Sequence, residues 1–330
     1  MLLTEKIHDA GIQLLKRHGC DVTVLDSVDE EKILAAVADQ EGLLTRTGQI
    51  GARVMDAAPM LKVISMHGVG VDGIDVEEAT RRGIWVTNAP GANSVSVAEY
   101  AMCQLLMLAK KSVEYNDRLH AGDWGARHSV IGIDLENRTL GVVGSGRIGM
   151  LVARKASMGF GMNVLVYKRK PKDGLPLEGV RYTDSLKEIM SQSDFVTLHV
   201  PLNNQTAGLI SRELLGLMKP TAFLLNTARG EVVDEAALIE LLQTGKLAGA
   251  ALDVFASGKP DPQNPLLRMD NVIVSPHSAA FTEESLVRMA TTAASGILEV
   301  LEGREVSHPV NRPDSFNLFD EIRYFDRRVV

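Results

Sequence analysis

The residues Gly144-Ser145-Gly146-Arg147-Ile148-Gly149 have the types and spacing that speak most directly of chemistry. The pattern G-x-G-x-x-G arises often by chance. Here it follows an apolar, strand-like run at 140–143 and precedes a helix-like stretch at 150–156, the context that makes it specific. The first glycine permits a tight turn, the second lets backbone approach a pyrophosphate, and the third lets helix and strand pack closely. Free N–H groups at the helix start then face an anion with the helix dipole in its favour. About twenty residues later, an NAD-preferring site normally carries an acid for the ribose 2′-hydroxyl. This chain instead reads Tyr167-Lys168-Arg169-Lys170-Pro171. An acid would repel a 2′-phosphate, whereas three cations attract it and arginine can grip it bidentately. The expected cofactor is NADP in preference to NAD. The competing reading is a solvated basic loop beside an NAD site that tolerates the lost acid.

These residues need a frame, and the apolar patterning supplies one. Short runs at 22–25, 42–45, 61–65 and 84–87 alternate with polar, helix-like stretches, as in a parallel sheet covered by helices. From about Asn93 the texture changes. Ser96-Val97-Ala98-Glu99 fits a capping box, and the helical run that follows through Leu119 is long enough to bridge two domains. A second alternation has runs at 139–143, 163–167, 195–199, 222–226, 248–252 and 272–275. Six such strands with intervening helices match a complete doubly wound dinucleotide fold. A helical stretch at about 283–302 should carry the chain back to the first domain, and the tail at 312–330 is either docked or disordered.

Composition excludes several classes. The 330 residues are 45% hydrophobic and 23% charged, ordinary for a soluble globular protein, and the length suits two domains. A net charge of −7 argues against nonspecific attraction to nucleic acid or anionic lipid. The two cysteines, Cys20 and Cys103, sit in apolar or helical context and read as buried thiols in a reducing compartment, with neither a disulfide nor a metal site expected. No leader-like segment or membrane-length apolar run is evident, so a cytoplasmic protein is expected.

Further motifs stand in a consistent order: Gly68-Val69-Gly70-Val71-Asp72-Gly73-Ile74-Asp75, Asn88-Ala89-Pro90-Gly91-Ala92-Asn93 with Val97-Ala98-Glu99, His199-Val200-Pro201-Leu202, Asn226-Thr227-Ala228-Arg229-Gly230, Leu252-Asp253-Val254-Phe255 and Ser275-Pro276-His277. With the glycine turn, they make the chain resemble, from about residue 2 to 311, the D-isomer-specific 2-hydroxyacid dehydrogenases, including relatives of glyoxylate/hydroxypyruvate reductase and phosphoglycerate dehydrogenase. The resemblance implies an α/β protein in which a Rossmann-type doubly wound cofactor domain (96–285) is inserted into a smaller flavodoxin-like substrate domain (1–95 and 286–330), with a homodimer built on the cofactor domains. It implies reduction of a small 2-oxo acid to the D-2-hydroxy acid. Such a reaction needs a cation for the carboxylate, a proton donor and a hydride delivered to one face. Arg229 resembles the substrate clamp, whose guanidinium suits a carboxylate fork. His277 resembles the acid/base, giving a proton to the developing alkoxide. The N–H groups near Val69 and Gly70 resemble the loop that receives the substrate carboxylate. Asp253 resembles the partner of the nicotinamide carboxamide. Val200, Pro201, Thr227, Ala228 and the run His277, Ser278, Ala279 and Ala280 resemble the lining of the nicotinamide side, and Arg147 and Ile148 the pyrophosphate contacts. His67, His120, His128 and His199 read as structural or exposed, and Asp72 and Asp75 as turn and cap residues.

One departure stands out. Family members usually carry Asp-Val-Phe-x-x-Glu-Pro, whose Glu pairs with the acid/base histidine. This chain has Asp253-Val254-Phe255-Ala256-Ser257-Gly258-Lys259-Pro260, placing Gly258 or Lys259 at the Glu position. A carboxylate beside an imidazole stabilises its charged form and fixes the ring. Without it, His277 is expected to titrate lower and to be held less firmly, unless Asp261, Glu283, Glu284, a water or a carboxyl of the substrate substitutes. Three readings follow: an NADPH-dependent 2-oxo acid reductase, a cofactor-binding regulatory or scaffold protein whose catalysis has decayed, or a dehydrogenase with an unusual acceptor or donor such as a phosphorylated or sugar acid. Lys259 would suit an additional anionic group on a substrate.

Overall fold

The computed structural model describes residues 1–168 and 179–313. The chain divides into two compact units, one made of Met1–Asn93 together with the chain from Thr282 onward, the other of Ser94–Phe281. Both crossings thus fall slightly earlier in the chain than the expected boundaries at 95/96 and 285/286. Among the described residues no helix is long and apolar enough to cross a membrane.

The first unit contains β1 (Leu2–Leu3), β2 (Thr23–Val24), β3 (Gly42–Thr45), β4 (Val63–Met66) and β5 (Trp85–Thr87) in the order β2-β1-β3-β4-β5, all parallel. This is the flavodoxin-like arrangement. β3, β4 and β5 are buried along their whole length, as strands covered by helices on both faces must be, which is why they appear in the sequence as unbroken apolar runs. On one face Asp9–Arg17 and Glu283–Leu301 bury Leu15, Ala290, Ala294 and Ile297 with Leu3 and Leu44. On the other, Ile33, Val54 and Ala79 close over Leu2, Leu43, Ile64 and Val86.

The second unit contains β6 (Thr139–Val143), β7 (Asn163–Tyr167), β8 (Val180–Thr183), β9 (Phe195–Leu198), β10 (Phe223–Asn226), β11 (Gly249–Leu252) and β12 (Val272–Val274). The order is β12-β11-β10-β9-β6-β7-β8, again all parallel, so the Rossmann sheet has a seventh strand, β8, beyond the six expected. Val180-Arg181-Tyr182-Thr183 is an edge strand, exposed enough to carry Arg181, and so it lacks the apolar run that marks its neighbours. Phe195 and Phe223 stack at 5.2 Å beneath the helix Ser94–Lys110.

The register of this sheet does most to build a site. Val143 lies level with Tyr167 and Leu198, Leu198 with Asn226, Asn226 with Leu252, and Leu252 with Val274. The next residue after each is therefore delivered to one edge: Lys168, Gly144, His199, Thr227, Asp253 and Ser275. The strand order reverses direction between β6 and β9, and open α/β sheets bind ligands at the carboxyl edge beside such a switch point.

Two local expectations change. The long helical run is two helices, Ser94–Lys110 and Ser112–His120, broken at Lys111, whose φ of 55° is left-handed. The first begins at Ser94, so Ser96 is buried inside it and cannot cap it. Both thiols are free but not buried: Cys20 is partly exposed and Cys103 exposed. The buried stripe of that helix passes through Met102, Gln104 and Leu105 and leaves Cys103 facing outward.

Candidate active site

Along the carboxyl edge of the second unit, the three glycines of the turn have separate structural reasons. Gly144 has φ +115°, and a β-carbon there would lie 2.4 Å from the His199 carbonyl oxygen. A β-carbon on Gly149 would lie 2.0 Å from the Gly144 oxygen, so the helix Arg147–Phe160 packs directly on its own turn. Gly146 is the N-cap of that helix, with extended backbone, no side-chain cap and open space where a β-carbon would stand. The protein itself requires the first and third glycines, and the second leaves backbone bare. The helix's first turn carries no acid. Uncapped N–H groups, an unopposed dipole and open space fit the pyrophosphate of a dinucleotide. Ser145 and Ile148 are half-buried beside it and Arg147 is exposed.

At the end of β7, the Lys168 N–H donates to the Thr183 carbonyl (2.9 Å), and its ammonium lies 5.9 Å from the centroid of the Tyr182 ring. Tyr182, on the unexpected β8, is a neighbour of this cation that patterning did not reveal. Arg169 and Lys170 lie outside the described residues.

Beyond β10, Asn226 staples its own loop: its Oδ1 accepts from the Ala228 N–H (3.0 Å) and its Nδ2 donates to the Arg229 carbonyl (2.9 Å). The half-buried Arg229 donates through Nη1 to the Ala228 carbonyl (2.7 Å). A β-carbon on Gly230 would lie 1.9 Å from the Phe255 carbonyl carbon, so the arginine segment is pressed against the backbone after β11. The Asn-Thr-Ala-Arg-Gly motif is thus one device for holding Arg229. The Thr227 hydroxyl is buried without a hydrogen-bond partner, a polar group that a cofactor's amide or ribose would satisfy. Val200 packs beside the glycine turn, and the Pro201 carbonyl accepts from the Thr206 hydroxyl (2.6 Å).

Beyond β12, His277 is exposed with a left-handed φ of 55°, and its N–H donates to the Asp253 carbonyl (2.8 Å). The buried Asp253 carboxylate accepts from the Ser275 hydroxyl (2.6 Å) and the N–H groups of Ser278 (2.8 Å) and Ala279 (2.9 Å). Ala279 is buried and Ala280 half-buried. Arg229 and His277 are therefore both anchored to the backbone that follows β11.

Gly258, one of the two residues matched with the family's Glu, lies in a turn where its N–H donates to the Phe255 carbonyl (3.0 Å). Its φ is +71°, with open space around an added β-carbon, and Lys259 beside it is exposed. Glu235, which sequence reasoning did not single out, holds this loop by accepting from the Ala256 N–H (2.9 Å) and Asn264 Nδ2 (2.8 Å). Its position in the first turn of the helix Glu235–Gln243 signals only favourable helix-end charge. Of the three candidate substitutes, Asp261 accepts from the Gln263 N–H (2.7 Å) in its own turn, Glu283 meets His8 Nε2 at 2.9 Å, and Glu284 is exposed.

In the first unit, the turn after β4 is held by its carbonyls: Gly68 accepts from the Ala89 N–H (2.7 Å) and Val69 from Asn88 Nδ2 (2.8 Å). Val69 is exposed and Gly70 half-buried, and Asp75 caps the helix Val76–Arg81 by accepting from the Glu78 N–H (2.9 Å). His120 and His128 are exposed. His67 is only 2% exposed, and neither ring nitrogen has a hydrogen-bond partner. Desolvation, reinforced by the Arg46 charge, pushes its pKa down to about 4. Desolvation alone brings His199, whose Nε2 lies 2.9 Å from the Thr197 hydroxyl, down to about 3.

Both histidines are neutral when folded, and the unfolded chain binds their protons first. Their stabilising contribution is complete above pH 6.5 and is lost as pH falls through that value towards the folded values. For His67 the drop from 6.5 to about 4 corresponds to about 3 kcal/mol once pH is below both values. Urea unfolding of His67→Leu should therefore depend less on pH between 7 and 4 than that of the wild type; equal dependence would refute this.

Comparison with known proteins agrees with this architecture. A family profile described as D-isomer specific 2-hydroxyacid dehydrogenase, NAD binding domain, matches residues 102–279. A D-3-phosphoglycerate dehydrogenase of Methanocaldococcus jannaschii is 42% identical over 95% of this chain, which spans only 60% of that protein's length. A glyoxylate reductase of Thermofilum pendens is 41% identical over 94% of each chain. The crystal structure of an NADPH-dependent glyoxylate/hydroxypyruvate reductase from Sinorhizobium meliloti, in complex with NADP and malonate, superposes with a TM-score of 0.84 at 30% identity, covering 94% of this chain and 96% of that one. The chain belongs to the D-isomer-specific 2-hydroxyacid dehydrogenase family.

Proposed function

We propose that this protein reduces a small 2-oxo acid to the D-2-hydroxy acid with NADPH. The observation that carries the reading is the shared sheet edge, where register delivers Gly144, Lys168, Thr227, Asp253 and Ser275 to one level and holds Arg229 and His277 just beyond. The unit of residues 94–281 is the cofactor domain. Gly144, Gly146 and Gly149 receive the pyrophosphate, Lys168 with Arg169 and Lys170 the 2′-phosphate, and Thr227 the nicotinamide end. NADPH, when bound, supplies the hydride. Arg229 grips the substrate carboxylate and draws electron density from the carbonyl, and His277 gives its proton to the oxygen as negative charge develops there.

Gly258 in place of Glu favours a second reading, a cofactor-binding regulatory protein without turnover. Steady-state reduction of glyoxylate and hydroxypyruvate with each cofactor separates the two. The account expects turnover and a higher kcat/KM with NADPH. Exchanging Lys168 and Arg169 for Glu should then lower kcat/KM for NADPH by roughly 100-fold while changing that for NADH little, the loss of two charge-assisted contacts. An NADH-preferring wild type would refute the cofactor assignment.

We also take the protein to be a cytoplasmic homodimer. An 850 Å³ groove between the helices Ser94–Lys110 and Arg147–Phe160, lined by Met102, Leu106, Met107, Leu151 and Phe160, is apolar enough to seat a second copy. A monomer at all concentrations in sedimentation would contradict this.

A further inference from the structure

Arg229 is held by its Asn-Thr-Ala-Arg-Gly loop, but His277 stands three residues beyond β12 on an exposed turn with a left-handed backbone. A side chain disfavours that conformation, and it persists only where the surroundings over-determine it. Here Asp253 holds the turn from beneath. Asp253 is 1% exposed, and the donors to its carboxylate are Ser275 Oγ, Ser278 N–H, Ala279 N–H and, at 3.5 Å, Ser278 Oγ, all from the segment that carries His277. Its main-chain carbonyl takes the His277 N–H itself. The histidine is bracketed, clamped on the residue two before it and on the two residues after it, all to the same carboxylate.

We propose that Asp253 and Ser275 are positioning residues for His277: the Ser275–Asp253 hydrogen bond closes a latch that sets the left-handed turn and so aims the imidazole. With Gly258 or Lys259 where the family carries its Glu, this hold from beneath the turn remains. A buried carboxylate satisfied by two amides and two hydroxyls, of which Ser275 is the closer at 2.6 Å against 3.5 Å for Ser278, is strongly directional, because each donor it lost would leave charge less satisfied. The inference rests on the reading of His277 as the acid/base and adds to the role of Asp253 a residue, Ser275, that the family motif leaves without one.

Ser275 makes the cleaner test, since removing its hydroxyl leaves the Asp253 carboxylate in place for any contact with the cofactor. Ser275→Ala, Ser275→Thr and Asp253→Asn are compared with the wild type and with His277→Ala by kcat, its pH profile, substrate KM, the NADPH dissociation constant from fluorescence and the melting temperature. Ser275→Ala should lower kcat by roughly 10-fold and shift its pH profile, with KM and NADPH affinity within about 2-fold, and Ser275→Thr should restore it. Asp253→Asn, which turns an amide towards a backbone N–H, should cost about 100-fold, the scale of a misplaced catalytic group. A Ser275→Ala enzyme with wild-type kcat and pH profile, beside an inactive His277→Ala, would overturn this inference alone. A loss confined to NADPH affinity or to thermal stability would overturn it too. A wild type that turns over no 2-oxo acid would overturn the reading beneath it, and the inference with it.

Discussion

His277→Ala should lose about 10²–10⁴-fold in kcat for 2-oxo acid reduction, the range a positioned general acid contributes, while still binding NADPH. The histidine is exposed on its turn, and its backbone N–H is held by the Asp253 carbonyl. Arg229→Ala should cost about 10²–10³-fold, comparable to losing one preorganised donor at developing charge, and Arg229→Lys should recover little of it because an ammonium cannot grip a carboxylate at two points. Neither substitution touches the glycine turn, so NADPH fluorescence titration should show that both variants still bind the cofactor. Retained turnover in His277→Ala would remove it from the chemistry.

The second large effect concerns the glycine turn. Gly149→Ala would place a methyl 2.0 Å from the Gly144 oxygen, a backbone atom that cannot swing aside, so either the helix start or the turn must move. Such overpacking typically costs about 1–3 kcal/mol, and the melting temperature should fall by several degrees. NADPH affinity should fall at least as sharply, since the N–H groups that cradle the pyrophosphate move with the helix. Gly146→Ala makes the contrast: its extended backbone and open surroundings admit a methyl without strain, so the fold should be unaffected while the methyl stands in the cofactor's approach. Calorimetry and NADPH titration of the two variants separate a glycine kept for packing from one kept for the ligand. Equal stability losses in both would refute the distinction.

Much of this was legible because parallel strands buried on both faces leave unbroken apolar runs, as Gly42–Thr45, Val63–Met66, Thr139–Val143 and Asn163–Tyr167 do. Two other strands were not. Leu2–Leu3 offers two residues and no period, although it is paired on both sides within its sheet, and Val180–Thr183 lies at an edge where Arg181 reaches solvent. The break at Lys111 was invisible because apolar spacing continues across it, and only the backbone angle reveals the second helix. Motif spacing located Gly144, Arg229, Asp253 and His277, each next to or near a strand end, but not how they are held. That Asn226 staples the arginine loop, that Glu235 pins the loop bearing Gly258, and that Asp253 brackets His277 are contacts across 3 to 29 positions in the chain, which no local pattern encodes.

The central claim is turnover, and absorbance at 340 nm tests it most directly: pure protein with NADPH and, separately, NADH, against glyoxylate, hydroxypyruvate and longer 2-oxo acids across pH. Oxidation should be faster with NADPH, fall as pH rises because the acid must be protonated, and drop at least about 100-fold in Arg229→Ala and His277→Ala. Tight NADPH binding with no oxidation by any of these acids would contradict it and leave a protein that holds its cofactor without using it.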